Sequence, residues 1–223
     1  MRAEMRNRMS DSPVIAFLNK LTDLVLLNVL WLICSIPVVT IGASTTAMYY
    51  VSITSIRLGD GYVVRRFFKS FRDNFRGITP VWLFMMVCGA LFTFDLIFWN
   101  QVEGMIGKVM LIVSVVIIII LSVIGLWVFP VFAKFEGNRR NLLKNAAAFA
   151  IGYLPYTAIV LVITGAVVYA NMVSVVANSI MLFIGFALLA YIQSFFFYRV
   201  FMNHIDEKYD DFDKFADDNE TIY

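Results

Sequence analysis

The feature that most constrains this chain is an apolar run from Leu24 to Ile56, interrupted near its middle by Pro37, Thr40 and Gly42. A helix needs about 20 residues to cross a bilayer, so the run is too long for one crossing. Proline lacks a backbone donor and glycine tolerates positive φ, so these residues predict a structural break. The run therefore predicts a membrane hairpin that turns at the break.

The composition of the whole chain is typical of an integral membrane protein. Hydrophobic residues make up 61% of it and charged residues 15%, and the mean hydropathy is +0.79. A soluble fold could not bury that much apolar surface. The apolar residues run continuously instead of alternating, which favours helices over barrel strands. No small-residue cleavage site precedes the first apolar run, so we expect no cleavable signal peptide.

We predict an all-α, polytopic membrane protein with six segments arranged as three hairpins. Small and hydroxyl residues dominate the second segment, so it is expected to face protein more than lipid. The alternative is five crossings, with a single one in 21–56 and the N-terminus outside. The expected segments are 21–39, 42–56, 78–99, 109–133, 147–170 and 177–200, in one domain over 1–200, followed by an acidic tail at 201–223.

Charge is strongly segregated along the chain. Residues 57–77 hold six Lys or Arg against two acids, and residues 134–145 hold four against one. Short basic loops face the cytoplasm, so both stretches and the C-terminus are expected on the cytoplasmic side of the membrane. An even number of crossings then also places the basic N-terminal arm inside.

The stretch 57–77 alternates bases with aromatic residues. This pattern predicts an amphipathic helix at an anionic membrane surface, with partner docking as the alternative. Nucleic-acid binding is not expected, because no exposed domain carries the charge. The side chains predicted to contact lipid headgroups or a partner are Arg65, Arg66, Lys69, Arg72, Arg76, Arg139, Arg140 and Lys144.

Polar side chains within the apolar segments are the candidate functional residues, because their burial in a membrane is costly. Asp95 is expected to contact a solute, to pair with Lys108 or to reach water at the outer face. Asn28 and Gln193 are expected to bond between helices or to contact a substrate. Asp23 is expected to be an interfacial charge.

No pattern of catalytic or ligand-binding residues accompanies these polar groups. Cys34 and Cys88 lie apart in apolar segments, and the single His204 follows the last segment. Neither a metal-ligand set, a nucleotide-binding loop nor a catalytic triad is present. We therefore expect no metal, no cofactor and no enzymatic activity.

Two motifs in this sequence resemble those of a known family. The stretch LNVLWLICSIPVVTIGASTTAMYYV, with Pro37, Val38, Thr40 and Gly42, and the basic helix with Phe67, Phe68, Phe71, Asn74 and Phe75, resemble the YesL-like bacterial membrane proteins of unknown function. The likeness extends to about residue 200. YesL-like proteins are often encoded beside carbohydrate ABC importers, so the resemblance implies an accessory role in sugar import, in the bacterial cytoplasmic membrane.

The sequence leaves three functions open. The first is an accessory or subunit of a transport system, with ABC transporter components or a second copy as partners. The second is a self-contained transporter for a small solute, built around Asp95, Asn28 and Gln193. The third is a membrane sensor or scaffold that reports through the acidic tail.

Overall fold

A computed structural model describes residues 13–58 and 62–202, apart from the side chains of residues 13 and 55–58. These ranges are helical and contain no strand. The basic arm before residue 13, His204 and the acidic stretch after Met202 lie outside the described residues. In chain order the helices are α1 Pro13–Ser35, α2 Ile41–Leu58, α3 Val63–Gln101, α4 Met105–Lys134, α5 Arg139–Gly152, α6 Leu154–Val173 and α7 Val175–Met202.

Within these ranges, five helices are long and apolar enough to cross a membrane, namely α1, α3, α4, α6 and α7. They indicate a membrane protein. The helix α2 is not among the five, and protein encloses it: Ala43, Ala47 and Val51 are fully buried, as are the hydroxyl-bearing Ser44 and Thr46. The small and hydroxyl residues of this segment let neighbouring helices approach closely.

The basic stretch and the segment after it form one helix, where the sequence predicted two. The helix α3 has 39 residues and contains Pro80 in its interior. Proline removes only one backbone donor, and membrane helices tolerate this where neighbours hold the helix. Here Ile78 and Val81 are buried on either side of Pro80 and pack into the core, so the helix continues.

The predicted segment 147–170 is two helices. The chain leaves helical geometry at Tyr153, with φ −117° and ψ 48°, and α6 begins with Pro155 in its first turn. Proline favours the first turn of a helix because its missing N–H has no partner there. Residues 147–152 therefore belong to α5, which buries Leu142, Ala146, Phe149 and Ala150 against α4 and its neighbours.

The helices α3 and α4 form an antiparallel pair. Trp82 contacts Phe129, with ring centroids 6.1 Å apart, and Asp95 contacts Ser114 nearer the connecting turn. At the other end, a Cβ on Gly77 would lie 3.9 Å from the ring of Phe132. Since α4 ends two residues after Phe132, residues 63–76 of α3 continue past the end of α4.

All seven helices of the described ranges contribute buried residues to the core, and an aromatic cluster around Trp127 of α4 joins α4, α5 and α7. The Trp127 ring stacks on Phe149 at 5.7 Å and meets Phe197 edge-on at 4.9 Å. Its indole N–H donates to Thr157 Oγ1 at 3.0 Å, so the buried nitrogen has a partner. This aromatic cluster supports the end of the molecule where α4 stops and α5 begins.

Candidate functional site

Asn28 connects α1 to the π-helical turn of α7, Met181–Gly185. Its amide Nδ2 donates to the Leu182 carbonyl at 2.8 Å, and its Oδ1 accepts the backbone N–H of Ala187 at 3.1 Å. A π-turn shifts the hydrogen-bond pattern of a helix and leaves backbone groups in need of partners. Asn28, which is fully buried, supplies partners to both sides of this turn.

Gln193 joins α7 to two other helices. Its Oε1 accepts the Tyr49 hydroxyl of α2 at 2.5 Å, and its Nε2 donates to Thr164 Oγ1 of α6 at 2.9 Å. The residue is 2% exposed, so burial without these bonds would be costly. The Gln193 amide therefore uses both of its ends to hold helices together.

Asp95 lies on α3 and is partly buried. One carboxylate oxygen accepts the indole N–H of Trp99 at 2.9 Å, and the other accepts the Ser114 hydroxyl of α4. The predicted pairing with Lys108 is not observed among the described residues. Within the described residues, Asp95, Asn28 and Gln193 share no hydrogen-bond partner.

Asp23 is partly buried on α1, one turn after Lys20. The Lys20 ammonium lies 5.2 Å from the ring centroid of Tyr191 on α7, a cation–π contact. Lys20 thus contacts an aromatic ring of the neighbouring helix.

The break between α1 and α2 is a 3-10 turn, Val38–Thr40. The Thr40 hydroxyl lies 2.5 Å from the Cys34 carbonyl, an acceptor in the last turn of α1, where helix ends leave carbonyls without a helical partner. It also lies 2.6 Å from the Pro37 carbonyl, which accepts the Thr40 backbone N–H at 2.9 Å. The Val38 carbonyl accepts the indole N–H of Trp82 at 2.8 Å. A Cβ on Gly42 would lie 2.6 Å from the Trp82 Cβ, so only glycine allows this approach of α2 to α3.

Sequence reasoning missed several partners of these side chains. Tyr49, Ser114 and Thr157 complete the hydrogen bonds of Gln193, Asp95 and Trp127. Ser114 had a signal in the sequence, since it is the one hydroxyl within the apolar stretch 109–121. Tyr49 occurs among many other hydroxyl residues, and Thr157 is one of two threonines in α6, so sequence gives no reason to prefer either.

The predicted contact residues form a basic surface at one end of the α3/α4 pair. Arg66 is half-buried, and the other seven side chains are exposed. We define the basic surface as these seven, namely Arg65, Lys69, Arg72 and Arg76 on α3, and Arg139, Arg140 and Lys144 on α5.

The two helices that carry this basic surface are held in place by buried aromatic residues. On α3, Phe67 is fully buried and stacks on Phe71 at 6.2 Å. On α5, Phe149 is buried between Trp127 and Phe135, whose ring centroid lies 5.9 Å away. The cations therefore project from packed helices, which hold their backbone positions before a partner arrives.

The α3 part of the basic surface includes a groove. It has a volume of about 590 Å³ and is lined by Phe71, Arg72, Asp73, Phe75 and Arg76. Two guanidinium groups and aromatic side chains suit an anionic group that carries an apolar portion. The Asp73 carboxylate opposes an anion there and restricts how closely one approaches.

The two parts of the basic surface adjoin a common point. The Tyr50 hydroxyl of α2 lies within electrostatic range of Arg66 and Asp73 on α3, and of Glu136 in the link between α4 and α5. Glu136 is three residues before Arg139, at the start of the α5 part. Tyr50 is therefore near charged residues that flank both parts of the basic surface.

These features define an all-helical membrane protein with a basic surface at one end. Residues 24–96, roughly a third of the chain, match a family described as "Protein of unknown function, DUF624". This is the family that includes YesL-like proteins. The match spans the break at Pro37–Gly42 and the basic turns of α3. No curated protein and no solved structure matches the chain.

Proposed function

We propose that this chain is a non-enzymatic, multi-pass accessory of a bacterial transport system, and that it docks a cytoplasmic partner on its basic surface. The observation that carries the proposal is the clustering of seven exposed cations at one end of the molecule, on two helices fixed by buried aromatic residues. A preordered charged surface favours fast and specific association with a complementary protein. Docking is thus the role that its charge and rigidity support.

The transport system we propose is a carbohydrate ABC importer. This choice derives from the resemblance to YesL-like proteins, whose genes often adjoin such importers. The family match supports the resemblance, because it contains both the Pro37–Gly42 break and the basic part of α3. The proposed partners are components of the importer, with anionic lipid headgroups at the edge of the same surface.

The hydrogen bonds inside the bundle support an accessory over a self-contained transporter. Asn28 and Gln193 use their donors and acceptors on neighbouring helices. A substrate that competed for them would have to replace these buried bonds, at about 1–3 kcal/mol for each group left unpaired. The polar groups therefore favour a structural role.

Carbohydrate uptake by living cells tests the proposal. Deleting the gene from its bacterium should lower uptake of a labelled sugar, and the wild-type chain should restore it. We expect Asp95→Asn to restore uptake as well. The variant Arg65→Gln/Arg72→Gln/Arg76→Gln should fail to restore it while inserting at normal levels, because the docking charges are gone. Lys108→Gln, which removes a cation from the first turn of α4 and so from its opposite end, is the matched control.

Two results would contradict the proposal. Unchanged sugar uptake after deletion would remove the transport role. Loss of uptake with Asp95→Asn, together with full activity of the α3 variant, would instead identify a transporter that works through Asp95.

A further inference from the structure

The helix α5 begins with cations, where anions are the favourable residues. Arg139 and Arg140 are its first two residues, Lys144 follows one turn later, and the first turn contains no acid. The N-terminus of a helix carries a partial positive charge, so cations there destabilise it. Asn138 caps the helix by accepting the Arg140 N–H at 3.4 Å, but it brings no charge. An anionic partner would stabilise this end of α5.

The three cations are available for such a partner. Arg139, Arg140 and Lys144 are all exposed. Within residues 13–58 and 62–202, no side chain forms an ion pair with any of them. The nearest acid in sequence, Glu136, lies within electrostatic range of Tyr50 on α2. The protein thus presents three cations on two turns of one helix, and the described part of the chain leaves them uncompensated.

The described chain ends beside this cationic helix. The ring of Phe201, one residue before the end of α7, lies 5.2 Å from Phe135 and 5.6 Å from Phe149. Phe149 belongs to α5, and Phe135 is four residues before Arg139. An extended chain spans at most about 3.3–3.6 Å per residue, so the four residues from Met202 to Asp206 reach roughly 14 Å. The residues after Met202 can therefore reach the start of α5 directly.

Those residues carry the complementary charge. Residues 203–223, which we name the acidic segment, hold eight acids against two lysines. The acids occur in pairs and short runs, with aromatic residues between them, so several carboxylates can approach α5 together. They are Asp206, Glu207, Asp210, Asp211, Asp213, Asp217, Asp218 and Glu220.

We propose that the acidic segment docks on Arg139, Arg140 and Lys144 of the same chain. These ion pairs would lie at the surface, so each pair is weak and salt-sensitive. The segment therefore remains displaceable. Because α5 is part of the basic surface, docking covers the site that we assign to the partner. This regulatory consequence rests on the proposed function, whereas the docking does not.

Photo-crosslinking within the full chain tests the docking without any transport component. The chain carries p-benzoylphenylalanine in place of Phe212 and is reconstituted at one copy per phosphatidylcholine nanodisc. After illumination, mass spectrometry identifies the crosslinked peptides. At an ionic strength of about 0.01 M we expect the main product to join the acidic segment to α5, and we expect it to fall about ten-fold at about 1 M salt, where charges are screened.

Two charge variants make the result specific. Arg139→Gln/Arg140→Gln/Lys144→Gln should lower the crosslink yield about ten-fold, as should replacing the eight acids by Asn and Gln, since three weak ion pairs together are worth about that factor. The second variant leaves the described helices unaltered, so it remains informative if the first destabilises α5. Lys108→Gln, outside the cationic cluster, should leave the yield unchanged.

Several results would overturn the docking proposal. Crosslinks to lipid alone, or to a helix other than α5, would show that the acidic segment does not dock on α5. A crosslink yield in both charge variants as high as that of the unaltered chain would show that charge does not direct the contact. If the crosslinks form as expected but sugar uptake does not depend on the chain, the docking stands and only the proposed function fails.

Discussion

Asn28 holds the π-turn of α7 in place from the neighbouring helix α1. It is fully buried and bonds to both sides of the π-turn, to Leu182 and to Ala187. The sequence could predict that a buried amide bonds between helices, because few other roles stabilise one in a membrane. It could not predict the partner, since a π-turn has no reliable sequence pattern and arises from packing of the helices around it.

The substitution Asn28→Ala tests this role. It leaves the Ala187 N–H without its partner in a buried site, which should lower the stability of the protein by about 1–3 kcal/mol. Unfolding of the purified protein in mixed micelles measures the change.

Asn171→Ala is the matched control for this substitution. The Asn171 amide donates only to Val167 of its own helix, at 2.7 Å, so we expect a change within about 0.5 kcal/mol. Equal stability losses for both variants would contradict the role of Asn28.

At the scale of helices, the sequence indicates which stretches are apolar, but it does not determine where each helix ends. Pro80 and Pro155 show why. Pro155 lies in the first turn of α6, three residues after the last residue of α5, Gly152. Pro80 lies inside α3, between the buried residues Ile78 and Val81. Whether a proline ends a helix depends on what packs around it, which a single sequence does not contain. The same uncertainty explains why α5 and the first turns of α3 differ from the prediction.

The contact of α2 with α3 depends on Gly42. An added Cβ would lie 2.6 Å from the Trp82 Cβ and 2.9 Å from its Cγ, closer than atoms pack. We expect Gly42→Ala to force the helices apart and to lower stability by about 1–3 kcal/mol, as overpacked cores do. Thermal unfolding in detergent measures this.

A glycine of α3 that no neighbouring helix approaches provides the comparison for Gly42. A Cβ on Gly89 would meet nothing within 4 Å. Gly89→Ala should therefore be neutral or raise stability by up to about 1 kcal/mol, because alanine favours a helix. A loss for Gly89→Ala as large as that for Gly42→Ala would show that close approach is not the cause.

At the scale of the whole molecule, charge and helix order give the protein two different ends. The basic surface lies where α4 stops and α7 ends, near the contact of Phe201 with Phe135. The opposite end of α4 begins shortly after Glu103. The 30 residues of α4 span about 45 Å between the two ends. We propose that the basic end faces the cytoplasm and that α1 and α2 enter and leave the membrane on that side, which gives six segments.

The exposure of introduced cysteines in intact cells tests this orientation, on which the docking function depends. In a background of Cys34→Ala/Cys88→Ala, intact cells are treated with a maleimide that does not cross membranes. Each variant carries one introduced cysteine: Ser10→Cys, Asp60→Cys, Glu103→Cys or Arg140→Cys. Labelling of Glu103→Cys alone is the predicted result, with the other three reacting only after the cells are permeabilised. Labelling of Ser10→Cys from outside would leave five crossings in place of six. Labelling of Arg140→Cys from outside would place the basic surface on the wrong side of the membrane and contradict a cytoplasmic docking function.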